Sequence, residues 1–108
     1  MTVKELSDRM GLVPLAMPGP DREVLSGYAG DLLSWVMGRA PSDAAWVTIM
    51  TNVNIVAVAM LRDVAAVIVC ESAEVGEDII ARAKEQEVNL LLSKGGIYET
   101  CIEISKLI

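Results

Sequence analysis

The 108-residue sequence contains no histidine and only two cysteines, Cys70 and Cys101. Neither cysteine belongs to a CxxC pair, so zinc sites built from cysteine and histidine are excluded by inventory. The absence of histidine also excludes a conventional nucleophile-histidine triad, which leaves only lysine or a carboxylate as a base. We therefore expect a non-enzymatic protein without a metal or cofactor, and we interpret both cysteines as small core residues.

Long apolar runs and clustered basic residues are also missing. The longest apolar runs, 55–61 and 64–70, are far shorter than the ~20 residues that span a bilayer. The first residues mix charges and lack the apolar core of a secretory signal. The net charge is −6, and the nine Lys and Arg residues are scattered along the chain, which disfavours binding to a phosphate backbone. We expect a cytoplasmic protein that binds neither membranes nor nucleic acid.

Apolar residues, in contrast, are abundant. They make up 53% of the sequence, and the mean hydropathy is +0.44. A protein of this size has a large surface relative to its volume and normally needs more polar cover. We expect residues 1–108 to form one domain, part of whose apolar surface contacts a partner.

Strand and helix patterns alternate along the chain. The segments 45–50, apolar except for Thr48, and 65–70, apolar throughout, are typical of strands that are buried on both faces of a parallel sheet. Composition leaves 55–59 ambiguous between helix and strand, but 51–64 is long enough for a parallel crossover, so we predict a buried helix there. Further helices are expected at 2–10, 31–38, 77–87 and from 97 onward, and further strands at 13–17, 23–28 and 88–92. This order predicts a three-layer α/β/α sandwich with a mainly parallel sheet of about five strands.

Polar residues follow several of the predicted strands. In an open sheet, ligands bind outside the carboxyl ends of the parallel strands, near a switch in strand order. Asp31 and Asn52 precede predicted helices, whose free N–H groups could bind a polar or anionic ligand. The same two side chains could instead cap those groups, which is the ordinary finding at such junctions. The candidate ligand-binding residues are Ser26, Gly27, Asp31, Thr51, Asn52 and Asn54.

The two tryptophans also allow two interpretations. Trp35 falls on a predicted helix that is apolar nearly all round, and Trp46 falls in a predicted central strand. Either ring could stack on a nucleobase. Aromatic residues at such positions are more typical of a core or a dimer interface, which is what we expect here.

Three segments resemble the DRTGG domain family in their order and spacing. They are the stretch from Ser26-Gly27-Tyr28 through Asp31-Leu32-Leu33-Ser34, the stretch Trp46-Val47-Thr48-Ile49, and the stretch 54–59. The resemblance covers nearly the whole chain and implies a fold similar to the N-terminal domain of HPr kinase/phosphorylase. It also implies a homodimer or a dimerisation module of larger regulatory proteins, without an established catalytic activity. Kinase chemistry needs a Walker A loop, and Lys94-Gly95-Gly96 has the wrong order for one.

The sequence therefore predicts a non-enzymatic, homodimeric regulatory or interaction module. It would sense a small polar metabolite or hold a partner protein. The alternative is a nucleotide-binding domain or a small enzyme that acts on nucleotides, and a third possibility is a purely structural dimerisation unit.

Overall fold

The computed structural model describes residues 1–108, which form five strands and five helices. The strands are β1 (Val13–Ala16), β2 (Ser26–Ala29), β3 (Ala44–Thr48), β4 (Ala66–Val69) and β5 (Leu90–Leu92). The helices are α1 (Val3–Met10), α2 (Leu33–Arg39), α3 (Asn54–Arg62), α4 (Glu77–Glu85) and α5 (Ile97–Leu107). Every predicted element is present, and their order along the chain is the predicted one.

The strands form one sheet in the order β1-β5-β4-β3-β2. Strands β2, β3, β4 and β5 are parallel to one another, whereas β1 runs antiparallel to β5. The sheet is therefore mixed, and mainly parallel as predicted. Because β2 to β5 lie side by side in chain order, each pair is joined by one crossover helix.

Helices cover both faces of the sheet. On one face, α2, α3 and α4 pack over a cluster that includes Trp46, Ile55 and Val67. On the other face, α1 and α5 pack over a cluster that includes Leu6 and Ile68. This arrangement confirms the three-layer α/β/α sandwich.

The central strands explain the apolar runs of the sequence. Every residue of β3 and β4 is buried, so neither strand needs the alternation of a half-exposed strand. The ambiguous segment between them is α3, which buries Ile55, Val56, Val58 and Ala59. The length needed for a parallel crossover therefore predicted the helix correctly where composition left helix and strand open.

The structure corrects two predictions around α2. The helix begins at Leu33 rather than Asp31, and of its residues only Val36 is fully buried. Trp35 is 53% exposed, so a place in the core is wrong for this residue, whereas Trp46 is fully buried as expected. The preceding strand also begins later than predicted, at Ser26.

Two polar side chains tie the loops at the amino ends of the parallel strands. Asn89 is buried; its Nδ2 donates to the carbonyl oxygens of Gly19 and Ala65, each at 2.9 Å, and its Oδ1 accepts from the Gly19 amide at 2.9 Å. Arg22 pairs with the carboxylates of Asp43 and Asp63. These contacts fix the long connection from β1 to β2, which has to pass from one edge of the sheet to the other.

We predict that Asn89→Ala lowers the free energy of unfolding by about 2–3 kcal/mol, because it leaves the buried Ala65 carbonyl oxygen and the half-buried Gly19 amide without partners. In a domain of this size the loss corresponds to a drop of roughly 10 °C in Tm. Urea titration and thermal melting followed by circular dichroism measure both quantities. Gln86→Ala, on the neighbouring exposed surface, is the control and should stay close to wild type; equal losses in the two variants would contradict the prediction.

Candidate functional site

Asp31 joins the carboxyl ends of two neighbouring strands. It follows β2, and its Oδ1 accepts hydrogen bonds from Thr48 Oγ at 2.8 Å and from the Ile49 amide at 2.9 Å. Thr48 is fully buried at the end of β3. Helix α2 has no side-chain cap, so the expectation that Asp31 caps it is wrong. The carboxylate instead holds the turn after β2 against the turn after β3.

Asn52 caps α3 from one residue ahead of its formal N-cap, Val53. Its Oδ1 accepts from the Asn54 amide at 2.9 Å, and its carbonyl oxygen accepts from the Ile55 amide at 3.2 Å. The first N–H groups of α3 therefore have partners within the chain, which supports the capping interpretation for Asn52. Thr51 is half-buried, and Asn54 is exposed.

Ser26 and Gly27 lie elsewhere, because they belong to β2 itself rather than to the turn that follows it. On Gly27 a Cβ atom would lie 3.7 Å from Ile104 Cγ2 of α5. The six candidate residues thus divide into two groups. Asp31, Thr51, Asn52 and Asn54 lie at the carboxyl ends of β2 and β3, whereas Ser26 and Gly27 lie beside α5.

A groove of about 410 Å³ runs between β2 and α5. Its volume is in the range of small-molecule pockets. Cys101 forms part of one wall, and burial raises the pKa of its thiol, so the thiol stays protonated at neutral pH. The lining residues are Leu25, Ser26, Gly27, Tyr28, Ala29, Val47, Cys101, Ile104, Ser105 and Ile108, none of which is charged.

Sequence reasoning named Ser26 and Gly27 of this groove but missed the groove itself, because its other wall, α5, lies far along the chain from β2. The signal that could have found it is the pair of small residues Gly27 and Ala29, two positions apart on one edge strand, where larger apolar residues would fill the space under α5. Cys101 was expected in the core but is only partly buried in the wall of the groove, whereas Cys70 is fully buried as expected.

The turns after β4 and β5 are joined to each other. The Glu71 amide donates to the Gly95 carbonyl oxygen at 2.8 Å, and the Ser72 amide donates to the Ser93 carbonyl oxygen at 3.1 Å. The hydroxyls of Ser93 and Thr100 lie 2.9 Å apart in a hydrogen bond that is buried. These polar groups therefore satisfy one another, and their arrangement is that of a structural turn.

The strand order bears on where a ligand could enter. Strands β2 to β5 follow one another without a reversal, so α2, α3 and α4 all cross on the same face. The crevice that opens where successive crossovers lie on opposite faces of a sheet is therefore missing among these strands. A second cavity, of about 290 Å³, lies at the opposite, amino end and is lined in part by Arg22, Asp63 and Asn89.

Comparison with solved structures identifies a similar fold. One match is the crystal structure of the CBS and DRTGG domains of the regulatory region of Clostridium perfringens pyrophosphatase, complexed with its activator diadenosine tetraphosphate. The TM-score is 0.74, and the match covers 95% of this chain and 45% of that one. The fold is DRTGG-like. Sequence identity is 11%, so the likeness concerns fold alone, and it confirms the fold that the sequence resemblance implied.

No protein-family model and no curated protein matches the sequence. No helix of the DRTGG-like fold is long and apolar enough to cross a bilayer. No group of three or more cysteine, aspartate and glutamate side chains is placed to hold a metal ion.

We predict that Asp31→Ala lowers the free energy of unfolding by about 1–2 kcal/mol, because the buried Thr48 hydroxyl and the Ile49 amide lose their acceptor. Asn54→Ala removes a neighbouring exposed side chain and should change stability by less than about 0.5 kcal/mol. Denaturant titration of both variants checks the difference. An unchanged stability of Asp31→Ala would show that Asp31 is free for another role.

Proposed function

We propose that this domain is a non-enzymatic, cytoplasmic regulatory or interaction module that acts as a homodimer. The observation that carries the proposal is the amount of apolar surface the fold leaves uncovered. Nine large apolar side chains are each more than 40% exposed: Leu25, Leu32, Trp35, Ile49, Val53, Met60, Leu61, Tyr98 and Ile108. Scattered single apolar residues are normal on a protein surface, but this number on a 108-residue chain favours a role in association.

Several of these residues occupy corresponding places in the fold. Leu32 and Trp35 lie at the start of α2, just after β2, and Ile49 and Val53 lie between β3 and α3. Since β2 and β3 are adjacent parallel strands, both turns lie at the carboxyl ends of the strands, on the same side of the molecule. A partner protein that contacts these two turns would cover apolar side chains which the chain itself does not bury.

The fold supports a regulatory role. The solved structure that it resembles belongs to the regulatory region of a pyrophosphatase. A small polar metabolite sensed at Asp31, Thr51, Asn52 and Asn54 is the other form of the proposal. For that form, Asn54 and Thr51 offer side chains that the cap of α3 does not use.

For the homodimer, sedimentation velocity should give twice the 11.6 kDa chain mass at micromolar to hundred-micromolar concentration. The fraction of dimer should fall on dilution, as mass action requires. Added salt should not weaken the dimer, because apolar contacts carry no charge for salt to screen. A chain that sediments as a monomer throughout this range would contradict the homodimer.

The alternative function is nucleotide binding, and one observation favours it. Trp35 is exposed, and the guanidinium carbon of Arg39 lies 3.7 Å from the centroid of its ring. An exposed indole can stack on a base, and arginine suits phosphate. The solved structure of similar fold was obtained with diadenosine tetraphosphate, which makes this nucleotide the first ligand to test.

If the alternative holds, diadenosine tetraphosphate should raise the Tm in a concentration-dependent way, because binding to the native state alone stabilises it. Trp35→Ala should abolish the shift, and Leu61→Ala, a matched truncation of an exposed apolar residue on α3, should not. Thermal melting with this nucleotide and with ATP measures the effect. No shift with either nucleotide would rule out this alternative and leave the interaction role standing.

A further inference from the structure

The two edges of the sheet differ in how they are protected. Edge strand β1 carries Pro14, which has no N–H to donate, and its register with β5 is irregular between Pro14 and Ala16. Edge strand β2 has the sequence Ser26-Gly27-Tyr28-Ala29, with no proline, no charge and a regular register to β3. Proline, charge and bulges are the devices that keep sheet edges from pairing with other chains. Only β1 uses them.

The groove next to β2 is a hollow that side chains of another molecule could fill. Gly27 and Ala29 are exposed on the strand, and their small side chains leave the space below α5 unfilled. None of the ten lining residues is charged, although the whole chain carries a net charge of −6. The lining side chains of two copies can therefore meet without placing like charges in contact.

The rim of the same groove carries apolar side chains that project into solvent. Leu25 precedes β2 and is 67% exposed, and Ile108 follows α5 and is 42% exposed. A hollow and projecting apolar side chains on one surface are the two parts that a self-complementary patch needs. Self-complementarity is what a two-fold interface requires, because the same patch is used on both subunits.

We propose that the β2 edges of two copies pair antiparallel about a two-fold axis, which joins the two five-stranded sheets into one continuous sheet. Leu25 and Ile108 of each copy then cover the groove of the other. This inference rests on the homodimer of the proposed function and specifies its surface. The pairing satisfies the free backbone groups of β2 and buries the uncharged groove in one step.

The first test compares two Ala→Lys variants by sedimentation velocity. Ala29→Lys places a charge in the groove, and Ala81→Lys places the same charge on the exposed side of α4. We expect Ala29→Lys to raise the dimer dissociation constant at least about 100-fold, because a charge at an apolar interface has no partner there. Ala81→Lys should leave the constant unchanged. Circular dichroism melting establishes that both variants are folded.

The second test uses the cysteines as built-in probes. Cys70 is fully buried, whereas Cys101 lines the groove, so a thiol reagent reports on the groove alone. We expect the labelling rate of wild-type Cys101 to fall as protein concentration rises, in proportion to the monomer fraction. In Ala29→Lys the rate should be independent of concentration.

The outcomes separate this surface from the homodimer itself. If the wild type is a dimer and Ala29→Lys remains one, the surface is wrong and the homodimer stands. The same conclusion follows if Trp35→Glu abolishes the dimer while Ala29→Lys does not, since the two turns beside α2 are then the interface. If the wild type is a monomer, both the surface and the homodimer are wrong.

Discussion

The structure depends on the burial of β3 and β4 on both faces. All their residues are buried, and each of the two hydrophobic clusters draws on both strands from one side. Removing the helices from either face would expose a largely apolar surface, because Thr48 is the only polar residue of the two strands. The requirement for two covering layers therefore fixes where the helices lie. The turns and the sheet edges are the parts of the chain where polar or exposed side chains can be placed without disturbing this core.

The polar side chains complement this core by holding the turns. Asp31 ties the turn after β2 to the end of β3. Asn89 and Arg22 do the same at the opposite end of the sheet, where they fix the connection that leads to β2. Of the candidate ligand-binding residues, Asp31 and Asn52 are engaged within the chain, whereas the side chains of Thr51 and Asn54 are not. Because two of the four strand-end side chains are engaged and nine large apolar side chains are exposed, we propose association ahead of recognition of a polar ligand at the strand ends.

The fold could be predicted from the sequence because its main determinants are local or topological. Apolar runs identified β3 and β4, and the length between them identified α3 as a crossover helix. The site was less predictable. The partner of Asp31 is Thr48, seventeen residues away, and no local pattern distinguishes a carboxylate that caps the next helix from one that bonds a neighbouring strand. The groove was missed for the same reason, since β2 and α5 are far apart in the sequence. Trp35 is exposed because α2 buries only Val36 fully, and the composition of a helix that is apolar nearly all round does not indicate which of its sides is covered.

The position of β1 has a consequence for how the chain folds. Its sole strand partner is β5, near the other terminus, and Asn89 bonds Gly19 across seventy residues. Strands β2 to β5 each pair with the next strand along the chain, so they can assemble by successive short loop closures. The segment with α1 and β1 can complete the sheet only after β5 is in place, and it pays the largest loop-closure entropy. The two edges of the sheet are thus also the early and the late ends of its assembly.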